Sequence, residues 1–135
     1  MHDEAKSGRR VLVVDDAPDI REILVRNLEQ IGCVTCEAAD GLEALEQLQA
    51  FKPEVMVLDV NMPFLDGFGV LARMRELSLG QDVRTLMLTA RNDRDDVERS
   101  IALGARDYLA KPFSGKQFAL RIARLLIRSR SALDR

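Results

Sequence analysis

The sequence has one histidine and two cysteines in 135 residues, and neither scarce residue is placed for catalysis. His2 lies in a charged N-terminal tail that is expected to fray, so it is not a candidate catalyst. Cys33 and Cys36 have C-x-x-C spacing, which elsewhere marks redox pairs or half of a zinc site. Here Gly32 closes a helix and Cys33 to Ala38 reads as a strand, so residues three apart point to opposite faces. Neither thiol sits at the helix N-terminus that redox chemistry uses to lower a thiol pKa. An excess of one charge is also missing. With 20 basic and 22 acidic side chains the formal net charge is -2, which gives no general electrostatic case for nucleic acid or an anionic membrane. No apolar run approaches the length of a membrane span, and Met1 to Arg10 contains no apolar signal core, so a cytoplasmic protein without a membrane partner is expected. There are no internal repeats and no low-complexity segments.

What the chain does have is four short apolar runs that each end on a chemically able residue. Val11 to Val14 precede Asp15 and Asp16, Val55 to Leu58 precede Asp59, Leu86 to Leu88 precede Thr89, and Tyr108 to Ala110 precede Lys111. Runs of this length, separated by helix-period segments, read as parallel strands buried on both faces. Ligands of open α/β sheets bind outside the carboxyl ends of the strands, so three carboxylates, a hydroxyl and an ammonium are expected at one edge.

The intervening segments carry helix signals. Pro18 suits a first helical position, and Ile20, Ile23, Leu24, Leu28 and Ile31 recur at helical spacing until Gly32. Asp40 to Glu43 resembles a capping box, followed by the stripe Leu42, Leu45 and Leu48. A third helix follows Asp66-Gly67 with Val70, Leu71, Met74 and Leu77. The fourth begins near Asn92 or Asp93, carries Val97, Ile101 and Leu103, and stops at Gly104. Ser114 to Gln117 fits a capping box for the fifth, whose stripe is Phe118, Ile122, Leu125 and Leu126. Five strands alternating with five helices, joined by right-handed crossovers, make one α/β domain: a doubly wound parallel sheet with helices on both faces.

At about 5 Å and an effective dielectric of 20, each ionised carboxylate pair costs roughly 3 kcal/mol, so the acidic edge calls for a cation. Oxygen ligands without histidine or cysteine favour a hard divalent ion, and a shallow site that keeps several waters suits Mg²⁺. A cation, a lysine and a hydroxyl are what a phosphoryl group needs, and a carboxylate can be its nucleophile. Asp15 and Asp16 have a second reading, as caps of the helix that begins at Pro18.

These residues resemble the receiver domain of two-component response regulators. The resemblance rests on Val11 to Asp16, Leu58 to Gly67, Leu88-Thr89-Ala90, Gly104 to Tyr108 and Lys111-Pro112-Phe113. It implies a flavodoxin-like sheet of order 2-1-3-4-5 and a receiver domain over about residues 9–130, between a flexible tail (1–8) and a C-terminal tail or linker (131–135). It further implies that Asp59 accepts a phosphoryl group from a phosphohistidine of a sensor histidine kinase or histidine phosphotransfer protein. Asp16, Asp59 and the backbone carbonyl of Asn61 would hold Mg²⁺ directly, and Asp15 through water. Lys111 would pair with the phosphoryl oxygens, and its bond to Pro112 would be cis. Thr89 and Tyr108 would form the switch that reshapes the surface of the fourth helix, fifth strand and fifth helix, a face that could also serve a homodimer, an output domain or an effector. Asn61 and Arg91 stand where the family tunes phosphoryl lifetime. The chain would catalyse only its own phosphorylation and dephosphorylation and release no transformed metabolite.

Two positions depart from the family pattern. Arg106 replaces an acid common in receivers with DNA-binding outputs, which bears on the dimer mode, and Phe64 occupies a place often held by glycine. Residues 116–135 carry six basic side chains against one acidic, but their one aromatic, Phe118, belongs to the apolar stripe and none is interleaved with the basic residues to stack bases. We read this run as a solvated face, with Asp93, Asp95, Asp96 and Glu98 as its complement, and expect no direct nucleic-acid binding. A phosphatase with an aspartate nucleophile would need a second carboxylate two residues on, where Asn61 stands. A flavin module would need a phosphate cradle in place of the acidic Asp15 to Asp19 segment.

Overall fold

The computed structural model describes residues 8–90 and 94–133. In chain order the elements are β1 (Arg9–Val14), α1 (Pro18–Gln30), β2 (Cys33–Ala38), α2 (Gly41–Ala50), β3 (Val55–Asp59), α3 (Gly67–Leu77), β4 (Arg84–Thr89), α4 (Arg94–Ala102), β5 (Asp107–Ala110) and α5 (Gly115–Leu133). All strands are parallel, in the order β2-β1-β3-β4-β5.

Alternation along the strands divides the core in two. Val11, Val13, Val55, Val57, Leu86, Leu88 and Leu109 pack with Leu24 and Leu28 of α1 and Phe118, Ile122 and Leu125 of α5. Leu12, Val14, Met56, Leu58 and Met87 face the opposite way, against Ala44 and Leu48 of α2 and Phe68, Val70, Leu71 and Met74 of α3. The apolar runs of β1, β3 and β4 are therefore continuous because both faces of the sheet are covered. Cys33 lies in the first cluster and Cys36 packs against the second, so the two thiols face apart as their strand spacing predicts. Burial pushes the Cys33 thiol pKa up, with smaller and opposed effects of Arg9 and Glu54, which is contrary to a redox nucleophile.

The helix starts are chemically specific. Asp40 caps α2 by accepting from the Glu43 amide at 2.9 Å, while the Glu43 carboxylate accepts from the Ala39 amide at 2.8 Å. Ser114 and Gln117 form a reciprocal box at the start of α5, with bonds of 2.9 and 3.0 Å. The start expected for α4 near Asn92 or Asp93 lies outside the described residues, as do His2, Arg91 and nearly all of the N-terminal tail. The helix α5 runs to Leu133, past the expected domain boundary. The apolar stripes are narrower than the sequence pattern: Ile23, Ile31, Leu42, Leu77 and Ile101 are exposed, and small residues such as Gly41, Ala44 and Ser100 fill the helix contacts instead.

Candidate functional site at the carboxyl edge of the sheet

The strand order reverses between β1 and β3, and in open α/β sheets ligands bind outside the carboxyl ends of the strands at such a switch point. Asp15 follows β1 and is 1% exposed; Asp59 ends β3 and is 4% exposed; Asp16 is exposed. One carboxylate oxygen from each of the three can be chosen so that all lie within 4.8 Å of one another. Lys111, just after β5, reaches across β4 to the cluster, its Nζ standing 3.2 Å from Asp15 Oδ2 and 3.3 Å from Asp59 Oδ1. Its own amide donates to the Thr89 carbonyl at 2.7 Å, and its peptide bond to Pro112 is cis. Thr89 is buried at the end of β4. Tyr108 is half-buried on β5 opposite Met87, on the sheet face that also packs α2 and α3.

One lysine does not balance three carboxylates. Burial raises the Asp59 pKa to about 6, the Asp15 charge adds to the rise, and Lys111 opposes it. Burial pulls the Lys111 ammonium the other way, but the Asp59 and Asp15 carboxylates outweigh it and its pKa is raised. Three oxygen donors, two of them buried and short of positive charge, fit a hard divalent cation.

Three further features hold the carboxylates in place. Asp15 Oδ1 accepts from the Ala17 amide at 3.0 Å, while α1 starts at an Ala17 N-cap with no side-chain cap bond; Asp15 and Asp16 do not cap this helix. Arg21, which the sequence pattern did not single out, donates to the Asp15 carbonyl at 2.7 Å and pairs with Glu37 at 3.0 Å. Gly67 opens α3 against the end of β3, its amide bonded to Val60 O at 2.8 Å. A Cβ at Gly67 would stand 2.5 Å from the Asp59 carbonyl oxygen, so no side chain fits without displacing that strand end.

The loop between Asp59 and α3 carries the unusual backbone. Leu65 donates its amide to Pro63 O at 2.7 Å around Phe64, whose φ is +70°. This is a γ-turn of the uncommon, strained hand. The Phe64 ring is 85% exposed, and Asn61 and Pro63 are exposed beside it.

The carboxyl edge of a five-stranded parallel sheet thus carries an acidic, metal-compatible cluster with Lys111 against it. Residues 11–123 match the response regulator receiver domain, and the chain belongs to that family. Receiver domains act in two-component signalling as phosphorylation switches and typically bind Mg²⁺ at such an acidic pocket. Among curated relatives, the probable transcriptional regulator ycf27 of Cyanophora paradoxa is 46% identical over 121 residues, covering 90% of this chain and 49% of that protein. This chain thus spans about half the length of the curated relatives it matches. The chemotaxis protein CheY4 of Vibrio cholerae superposes with a TM-score of 0.82 at 33% identity, over 87% of this chain and 98% of that one. A CheX-CheY-BeF3-Mg complex from Borrelia burgdorferi superposes with a TM-score of 0.80 at 25% identity, over 87% and 88% of the two chains. No helix among the described residues is long and apolar enough to cross a membrane.

Proposed function

We propose that this chain is a cytoplasmic receiver unit, over about residues 9–130, whose Asp59 takes a phosphoryl group from a phosphohistidine of a sensor kinase or phosphotransfer protein. The observation that carries this reading is the pairing of a buried, electrostatically loaded Asp59 with Lys111 at the switch-point crevice. An Asp59 carboxylate oxygen attacks phosphorus, the P–N bond breaks, and the imidazole leaves with the bonding pair. Transfer of this kind is mostly positioning and charge neutralisation. Asp15, Asp16, Asp59 and the Asn61 carbonyl would hold Mg²⁺, which supplies neutralisation of the charge spread over the phosphoryl oxygens. The similar protein from Borrelia burgdorferi, found in a complex with BeF3 and Mg, supports a Mg²⁺-dependent phosphoryl site.

Lys111 already touches both buried carboxylates and can follow the charge onto the phosphoryl oxygens. Thr89 and Tyr108 belong to neighbouring strands and the same sheet face, since Tyr108 pairs in register with Met87, two residues before Thr89. A hydroxyl drawn toward a phosphorylated Asp59 would free space beside Tyr108, and the ring's response would alter the α4-β5-α5 surface. Phosphorylation can shift this equilibrium only by the difference in its affinity for the two arrangements. The same surface is the candidate contact for a second copy, an output domain or an effector protein. Arg121 and Arg124 there pair with Asp107, at 2.9 and 3.9 Å, which supports reading part of the basic run as serving contacts within the domain.

Intact-mass spectrometry after incubation with acetyl phosphate tests the reading. A single phosphoryl adduct is expected that needs Mg²⁺, is lost with EDTA and is absent from Asp59→Asn. An adduct that persists in the folded variant would move the acceptor elsewhere.

A further inference from the structure

We infer that Arg99 and Arg75 clamp α4 onto α3, and that this clamp carries changes at the Asp59 end of β3 to α4. The inference rests on Asp59 being the phosphoacceptor, and it adds a route separate from Thr89 and Tyr108. Most of the described side chains of α4 are exposed. It is nine residues long, a length at which helices depend on tertiary packing, yet Ser100 is its one fully buried residue and Ile101 is exposed. Five of its nine residues are charged: Arg94, Asp95, Asp96, Glu98 and Arg99.

Two arginines bridge α3 and α4, one from each helix. The Arg99 guanidinium of α4 lies 4.2 Å from the centroid of the Phe68 ring of α3, within cation–π range. Arg75 of α3 donates to Ala102 O at 3.2 Å, satisfying a carbonyl at the last turn of α4. That turn is otherwise closed by the Ala105 amide on Ser100 O and the Gly104 amide on Ile101 O, with Gly104 at φ +111°. At the other end of the chain of contacts, Phe68 directly follows Gly67, the residue with no room between it and the Asp59 carbonyl. The Phe68 ring is buried in the core, so it moves with α3 as a body. A displacement of the Asp59 strand end is therefore passed through Gly67 to α3, and through Arg99 and Arg75 to α4.

Amide hydrogen exchange of residues 98–103 tests this in wild type, Arg99→Gln, Arg75→Gln and Arg99→Lys, first in EDTA and then with Mg²⁺ and BeF3⁻. In EDTA each glutamine variant should exchange about two- to fivefold faster across α4, with β1 and β3 unchanged and Arg99→Lys near wild type. On addition of Mg²⁺ and BeF3⁻ the wild-type α4 rates should change, and Arg99→Gln should lose most of that change. All three variants should still take a phosphoryl group from acetyl phosphate. Unaltered exchange in EDTA overturns the clamp; a full response retained in Arg99→Gln, or none in wild type, overturns the transmission. A wild type that takes no phosphoryl group at Asp59 overturns the receiver reading instead, and the EDTA rates then decide the clamp alone.

Discussion

Replacing Asp59 by asparagine should stabilise the metal-free protein at neutral pH. Burial, aided by Asp15, lifts the Asp59 pKa from 3.8 to about 6 despite Lys111. A carboxyl whose folded pKa lies above its unfolded value favours the fold while protonated. That contribution is complete below the unfolded pKa and is lost as pH rises through the folded one. A rise of roughly two units corresponds to about 3 kcal/mol. The cost of the ionised group should grow from roughly 0.5 kcal/mol at pH 4 to about 3 at pH 7, less whatever local relaxation recovers. The asparagine variant escapes this cost and keeps a side chain of the same shape. Urea denaturation in EDTA at several pH values measures the difference; a gain of about 1–3 kcal/mol is expected at pH 7.5, shrinking toward zero at pH 4. In thermal melts this is about 3–4 °C per kcal/mol for a chain of this size. Mg²⁺ should reverse the order, because under the proposed function the wild-type carboxylates would bind it and stabilise the folded state by mass action. A variant no more stable than wild type in EDTA at pH 7.5, or a difference independent of pH, would refute the electrostatic account of the site.

Phe64→Gly should raise stability by up to about 1 kcal/mol, because glycine relieves the +70° turn at little steric cost; a loss in equilibrium unfolding would contradict the strain. Gly67→Ala should cost about 1–3 kcal/mol and slow acetyl-phosphate labelling, since its Cβ would meet the Asp59 carbonyl backbone; chemical denaturation and adduct formation over time check both effects. Arg121→Ala should cost about 1–2 kcal/mol by removing the bonds to Asp107 Oδ1 and Tyr108 O, of 2.9 and 2.7 Å, that tie α5 to β5; denaturant midpoints at unchanged slope would register it.

Much of the architecture was legible because the sheet is covered on both faces. Continuous apolar runs marked β1, β3 and β4, and the residues that end them are the ones the fold gathers. The caps at Asp40 and Ser114 were equally readable, since their chemistry is local. Helix faces were less so. Ile23, Leu42, Leu77 and Ile101 fit the helical period but point to solvent, because packing on a sheet needs a narrower stripe than the sequence offers. Arg21 and the steric role of Gly67 escaped notice for a related reason: one acts on a backbone carbonyl six residues away, the other by having no side chain. The exposed ring of Phe64 was visible as a departure, but its positive φ required the loop geometry.

The most direct test of the central claim is to locate the labelled residue. After incubation with acetyl phosphate and Mg²⁺, borohydride reduction converts an aspartyl phosphate to homoserine, and peptide mass spectrometry then reads its position. The account predicts homoserine at residue 59 alone, in a yield that falls to background with EDTA. Homoserine at Asp15, Asp16 or any other aspartate, with residue 59 intact, would contradict it.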